Sequence, residues 1–438
     1  MARLLPWQCA LHSLTLRRLI VEVGAVIVTG LRRKGGRRRG GALPSLSDGR
    51  SELLSGGTPR SSATPVVSLD ISVDDIPRTL WLKLESANAF GSVKGRTAVA
   101  LWQDVVDRVD PAIGIIESTS GNLGLALAAV AASHQVPFTA VVDPKTSGHV
   151  IEGIRALGGT VVMVDRPDGA GGYLLSRLDY IRQRLRAEPF LVWPNQYTNP
   201  ANPRAHSTGT APELRAQIPE GRTTVLVAVS TGGTLAGFRD FVTASVPDWE
   251  LVGVDMTGSV ALGGPHGRRV LSGIGASRPS SFLPGGFRPA VRITPQEAVS
   301  VCLWLQETAG LGVGASSGAV IAAALQLFRA TARRTRAACL CADGADRYLG
   351  TVYSRHWRQQ QRLTTTGITD RVKVLAVDRS SYGAAQGSAG AVDADPSAGG
   401  RRSAGAPSAG ACASDTRAVP ESAVLTYSDP GLDPGPDR

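Results

Sequence analysis

Between residues of about 62 and 360, short β-branched apolar runs alternate with longer Ala- and Leu-rich segments of helical period. The runs Trp81–Leu84, Gly114–Glu117, Phe138–Val142, Val161–Val164, Val225–Val229 and Leu251–Val254 predict strands. Apolar residues at helical spacing predict helices over Leu123–Ala132, His149–Leu157, Leu174–Leu185 and Ala319–Leu327. Strands alternating with helices predict an α/β fold, parallel-rich sheets with flanking helices on both faces. Ligands in such folds sit beyond the carboxyl ends of the strands, where Gly-rich turns feed helix N-termini.

The flanks differ in pattern. Residues 1–60 are rich in Arg, Gly and Ser and predict a disordered basic extension, followed by a catalytic region over 61–360. Residues 361–438 turn to Ala, Gly, Ser, Asp and Pro with few large apolar side chains. They predict a disordered low-complexity tail, too poor in apolar surface to offset its ordering entropy.

Composition narrows the function classes. With 42% apolar residues over 438, the chain is globular, and no stretch reaches the length of a membrane span. The net charge of +11 suggests nucleic acid, but residues 1–50 hold ten Lys or Arg against two acidic residues, eight of those eleven charges. A basic tail without interleaved aromatics or a recognition motif predicts no nucleic-acid partner. Arg17-Arg18 precede an apolar run, Leu19 to Leu31, but Glu22 interrupts it and the basic cluster Arg32 to Arg39 follows, unlike a secretion signal. Five widely spaced cysteines and six scattered histidines lack metal-ligand spacing, so no metal is expected. Cys339 and Cys341 alternate within an apolar run and read as one face of a core strand. A reducing cytoplasm fits this cysteine usage.

Four turn-to-helix segments carry the candidate chemistry. In Asn88-Ala89-Phe90-Gly91-Ser92-Val93-Lys94-Gly95-Arg96, Lys94 opens a helix after a turn, where burial lowers a lysine toward its nucleophilic amine. Glu117-Ser118-Thr119-Ser120-Gly121-Asn122-Leu123-Gly124 aims amides and hydroxyls at an anion over a helix N-terminus. Ser230-Thr231-Gly232-Gly233-Thr234 forms a nest for a phosphate dianion, without the lysine of a P-loop. Gly312-Val313-Gly314-Ala315-Ser316-Ser317-Gly318 leads into a fourth helix. Each alone also reads as a capped helix or a solvated charge.

In this order and spacing, the four segments resemble the cysteine synthase and cystathionine β-synthase family of pyridoxal-phosphate enzymes. The similarity runs from about Thr64-Pro65 to about Trp357 and includes Asn195-Gln196-Tyr197, His206, Ser272 to Ala276 and the run Asp343 to Leu349. Glu117 to Gly124, Val142-Asp143-Pro144-Lys145, Pro167-Asp168 with Gly171 to Leu174, Gly273 to Arg278 and Asp346 to Leu349 resemble one branch. That branch, the N-(2-amino-2-carboxyethyl)-L-glutamate synthases, joins O-phospho-L-serine to L-glutamate and releases phosphate. Its product leads to 2,3-diaminopropionate for siderophores and peptide antibiotics.

The resemblance implies the two-domain fold type II architecture, tryptophan synthase β-like, with a smaller domain over about 92–195. It implies amino-acid substrates, a homodimer and pyridoxal 5'-phosphate as cofactor. Lys94 would carry the cofactor and move the Cα proton, and Asn122 would bond its ring oxygen. Ser230, Thr231, Gly232, Gly233 and Thr234 would cradle its phosphate, and Ser316 would meet the pyridine nitrogen. Thr119, Ser120, Gly121 and Gln196 would hold the substrate carboxylate, and Tyr173 the second substrate. A serine at the ring nitrogen, unlike a carboxylate, does not keep it protonated, which favours β-elimination over transamination. Two positions depart from the pattern: Gly95 stands where the family commonly has an acidic residue, and Ala205 where the branch has serine. Two other readings stay open, cysteine synthesis from sulfide and a catalytically silent binding protein on the same fold.

Overall fold

A computed structural model describes residues 63–169 and 172–380 and the two-residue strand Leu425–Thr426. The extension expected over 1–60, together with Gly171, Cys9 and Cys412, lies outside them.

The amino-terminal hairpin pairs β1 (Val66–Val73) with β2 (Ile76–Leu84), and α1 (Lys94–Val105) follows. A βαβ series comes next: β3 (Ile115–Ser118), α2 (Asn122–Ser133), β4 (Phe138–Val142), α3 (Gly148–Ala156), β5 (Thr160–Met163) and α4 (Leu174–Ala187). Short helices α5 (Ala201–Ala205) and α6 (Ala211–Gln217) flank a π-helical turn, His206–Thr210. The chain then forms β6 (Thr223–Ala228), α7 (Gly233–Ser245), β7 (Trp249–Met256), β8 (Ala290–Ile293), α8 (Pro295–Ala309), α9 (Ala315–Ala330) and β9 (Arg336–Cys341). After α10 (Arg355–Gln360) come β10 (Val372–Asp378) and β11 (Leu425–Thr426).

Two sheets result. One has the order β10-β1-β2-β9-β6-β7-β8, parallel from β2 through β8 and antiparallel at β1 and β10; the other has the order β11-β5-β4-β3 and is parallel. Alternation along the strands gives each sheet two apolar faces. In β6 and β9, Leu226, Ala337, Cys339 and Cys341 pack with α8 and α9, while Val225, Val227, Ala338 and Leu340 pack with α6 and α7. In β4, Phe138, Ala140 and Val142 pack on α1 to α3, while Val141 faces Ile181 of α4. Cys302, Cys339 and Cys341 are free, buried thiols, and burial pushes Cys302 up to about 12.

The segment expected as a tail from residue 361 is described to residue 380 and at Leu425–Thr426, and the rest of it lies outside the described residues. Val372–Asp378 is strand β10, an edge partner of β1, with Val372 buried against the core. Val374 and Val377 pack partly against the same core, and that short apolar run supplies enough contact to order an otherwise polar segment. Among the described residues no helix is long and apolar enough to cross a membrane, and no group of three His, Cys, Asp or Glu could hold a metal.

Candidate active site

The carboxyl ends of β2, β3, β6 and β9 open on one cleft of about 1000 Å³. Two lysines flank the turn after β2, and their surroundings separate them. Lys83, in β2, is fully buried and saturated: Nζ donates to Thr64 O and Gln217 Oε1, each at 2.6 Å, and to the Glu213 carboxylate. Lys94 faces the cleft and makes no ion pair among the described residues. Protein surrounds it except on the cleft side, and desolvation lowers its amine to about 8, against an opposing field from Asp343.

Local structure sets Lys94 in place. The turn after β2 needs Gly91 in the left-handed region, at φ 68°. The Val93 N–H then bonds Ala342 O at 2.8 Å, which ties the start of α1 to the end of β9. Two residues on, Arg96 donates to Glu85 at 2.7 Å and Glu213 at 2.9 Å, one buried network with Lys83. Gly95 has a steric reason: a Cβ there would lie 2.5 Å from Phe90 Cδ2 and 3.0 Å from Asn88 Oδ1. An acidic residue at 95 does not fit beside this Phe90.

The turn before α2 presents Thr119, Ser120, Gly121 and Asn122 to the cleft. Thr119 is largely spoken for. Its Oγ1 accepts the N–H groups of Gly121 (3.2 Å) and Gly124 (3.0 Å), and its own N–H bonds Val141 O. Thr119 therefore caps the helix, and a Cβ on Gly121 would project into open space. Gln196 lines the wall, its Nε2 donating to Ser118 O at 2.7 Å. Behind it lies Glu117, whose carboxyl burial pushes up to about 7 although it accepts from Ser118 N, Trp193 Nε1 and Gln196 N.

After β6, Ser230, Thr231, Gly232 and Thr234 line the cleft, while Gly233 lies behind them. Gly232 is left-handed at φ 92°, and a Cβ on it would come within 2.0 Å of Ser280 Oγ. The first-turn amides of α7 have no carbonyl of their own helix to bond. Thr234 Oγ1 lies 3.3 Å from Nε2 of His206, whose ring also contacts Thr97 (3.2 Å) and Thr210 (2.9 Å). Desolvation, with Lys94 and Arg96 nearby, holds His206 well below the usual histidine range, so its imidazole is neutral.

Of the serine pair opening α9, Ser316 lines the cleft and Ser317 turns into the protein toward Cys341. Asn122 is held on both sides of its amide. Nδ2 donates to Asp343 Oδ2 at 2.7 Å, and Oδ1 accepts from Arg347, which also donates to Phe90 O at 2.7 Å. Tyr348 donates to the same Asp343 oxygen at 2.8 Å, and burial raises the Asp343 carboxyl.

Asp343, Arg347, Arg177 and Glu117 are site components that motif reading left without roles. Asp343 could have been found by position, since it follows the apolar run of β9 at the strand's carboxyl end. Arg177 is buried along the cleft, 3.4 Å from Asp143, with Nε and Nη1 making no hydrogen bond. Tyr173 lines the same wall, with Lys145 Nζ 5.6 Å from its ring centre. Altogether Lys94, Lys145 and five arginines (Arg177, Arg268, Arg269, Arg278, Arg347) face the cleft against two carboxylates, Asp143 and Asp343.

This donor set fits pyridoxal phosphate. It supplies a glycine nest with no room for a Cβ, an amine of lowered basicity, a serine at a helix N-terminus and an asparagine amide fixed in orientation. The comparisons agree. A family profile described as pyridoxal-phosphate dependent enzyme matches residues 58–343. An N-(2-amino-2-carboxyethyl)-L-glutamate synthase of Cupriavidus metallidurans is 37% identical over 300 residues, 67% of this chain and 88% of that protein. Another, of Ralstonia nicotianae, is 36% identical over 301 residues, with the same coverage of both chains. Among solved structures, an O-acetylserine dependent cystathionine β-synthase from Helicobacter pylori superposes with TM-score 0.61 at 30% identity, covering 67% of this chain and 97% of that one.

Proposed function

The chain belongs to the pyridoxal-phosphate-dependent enzyme family, as a β-replacement enzyme, and from that premise we propose that it joins O-phospho-L-serine to L-glutamate, giving N-(2-amino-2-carboxyethyl)-L-glutamate and phosphate. The observation that carries this reading is the cleft's charge, six cationic side chains besides Lys94 against two carboxylates. One proposed substrate brings a phosphate and a carboxylate, the other two carboxylates, and a desolvated cationic cleft favours such anions. Sulfide makes no comparable demand.

When bound, the cofactor supplies the electron sink that lets the substrate's Cα lose a proton and its β-substituent depart. The chain supplies the rest. Ser230, Thr231, Gly232 and Thr234 hold the cofactor phosphate, with Gly233 packed behind to shape the turn. Asn122, its amide fixed by Arg347 and Asp343, would bond the ring oxygen, and Ser316 would meet the ring nitrogen. Ser120 and Gly121, at the N-terminus of α2, take the substrate carboxylate together with Gln196; Thr119 contributes by holding that turn. The Lys94 amine removes the Cα proton as general base and returns it after the new bond forms at Cβ. Neutral His206 braces Thr234 without adding charge beside Lys94.

A second reading takes acetate as the leaving group, favoured by the likeness to the O-acetylserine dependent enzyme. Steady-state turnover of O-phospho-L-serine and of O-acetyl-L-serine, each with L-glutamate or sulfide, tests both. The proposal expects glutamate-dependent phosphate release to exceed the other three combinations. Turnover confined to O-acetyl-L-serine would replace the leaving group, and turnover confined to sulfide would replace the nucleophile.

A further inference from the structure

We propose that Arg278 binds the distal carboxylate of the amino acid that adds in the second half of the reaction, an assignment that rests on reading the nucleophile as a dicarboxylic amino acid. Each of the other cleft arginines already faces a partner, although Nε and Nη1 of Arg177 make no hydrogen bond. Arg177 lies against Asp143 at 3.4 Å, Arg268 donates to Gln361 at 2.9 Å, Arg269 to Ser277 at 2.5 Å and Arg347 to Phe90 O at 2.7 Å. Arg278 has no ion-pair or hydrogen-bond partner among the described residues. Its one recorded contact is with an aromatic face: the guanidinium carbon lies 5.1 Å from the ring centre of Tyr197.

That seat is rigid. Tyr197 is buried, and its hydroxyl lies 3.1 Å from Ser118 Oγ at the end of β3. The segment carrying Arg278 is tied to the phosphate nest on both sides. Gly275 N–H bonds Val229 O at 2.7 Å, and Ser280 Oγ donates to Thr231 O at 2.7 Å. Ser281 Oγ then bonds Tyr197 O at 2.6 Å. Arg278 thus spans the cleft from the seven-stranded side to the four-stranded side, a cation held in place with its N–H groups unspent. A guanidinium is weakly hydrated, stacks on tyrosine and pairs with a carboxylate through two N–H groups, so it suits a carboxylate arriving from solution. The activated serine's own carboxylate has its proposed place at the N-terminus of α2.

Holoenzyme carrying Arg278→Gln or Arg278→Lys tests the assignment against wild type. A charge-assisted pair contributes about 1.5–3 kcal/mol, so Arg278→Gln is expected to raise KM for L-glutamate roughly 10- to 100-fold. It should also compress the preference for L-glutamate over L-glutamine, and Arg278→Lys should recover part of both. The burst of phosphate released from O-phospho-L-serine without glutamate, read by rapid quench, should change less than about twofold and shows that the fold is intact. A burst that falls with the glutamate term would put Arg278 at the leaving phosphate and overturn the assignment. An unchanged glutamate KM would overturn it as well. Wild-type enzyme that turns over with sulfide but not glutamate would overturn the glutamate reading and this assignment together, and the wild-type arm tells that case from failure of Arg278 alone.

Discussion

Replacing Gly233 by alanine isolates a contact that holds the phosphate nest in shape. Gly233 opens α7 without a positive φ, so alanine meets no backbone strain there. On helix propensity the change is favourable by up to about 1 kcal/mol. The added Cβ, however, would lie 2.3 Å from Asn202 Cγ and Oδ1 and 2.4 Å from Nδ2. Asn202 is fully buried; Nδ2 donates to Gln196 O at 2.7 Å and toward Thr231 Oγ1 at 3.4 Å, and Oδ1 accepts from Thr97 at 3.3 Å. Overpacking costs about 1–3 kcal/mol. Loss of the Gln196 bond adds about 0.5–1.5 kcal/mol. The net penalty is about 0.5–4.5 kcal/mol, and because Asn202 touches both Thr231 and Gln196, it falls on the cleft. Titration of apoenzyme with pyridoxal phosphate should show affinity reduced at least about twofold, each 1.4 kcal/mol being tenfold. In an Asn202→Ala background the same change should cost less than about 0.5 kcal/mol, because its collision partner is gone. Equal losses in the two backgrounds would refute the contact as the cause.

Other residues give independent tests. With its amine lowered to about 8 by desolvation, Lys94 is neutral in about a tenth of molecules at pH 7, against ~1 in 3000 for an ordinary lysine. Cofactor uptake by apoenzyme, followed by absorbance, should therefore accelerate with pH up to about 8 and then level; a rise continuing toward 10 would contradict the desolvated site. Arg96→Gln leaves the Glu85 and Glu213 carboxylates short of a partner in a buried network. It should cost about 3–5 kcal/mol and lower the thermal midpoint by several degrees; an unmoved midpoint in calorimetry would contradict that. Gly95→Asp should weaken cofactor binding through its collision with Phe90, and Phe90→Ala in the same chain should restore much of it; no rescue would place the cost elsewhere.

Much of this was legible in the chain because period and turn chemistry are local. The run Phe138–Val142 coincides with β4, and Leu123–Ala132 lies within α2. Val225–Val229 runs one residue past β6 because Val229 N–H still bonds Val254 O. Three of the four turn segments follow the carboxyl ends of strands β2, β3 and β6, and the fourth, which follows α8, is tied to the residues after β9 by the Gly314 N–H bond to Asp343 O at 3.0 Å. What escaped depends on distant pairing. Strand β10 is a short apolar run inside a polar stretch, and its pairing with β1, some 300 residues earlier in the chain, orders it. The Asp343–Asn122 bond joins residues 221 apart, and no local pattern announces it. Thr119 fits a substrate-binding motif equally well as a cap, and only the two N–H groups it accepts distinguish these uses. Gly95, a departure from the family pattern, becomes ordinary once Phe90 is beside it.

Holoenzyme given O-phospho-L-serine and amine-labelled [15N]-L-glutamate, with products followed by mass spectrometry, reads the proposed bond directly. The expected product carries the serine-derived three-carbon unit on the labelled nitrogen, in step with phosphate release. Phosphate released with the label confined to unreacted glutamate, or cysteine formed on adding sulfide and no labelled adduct, would contradict the proposed reaction.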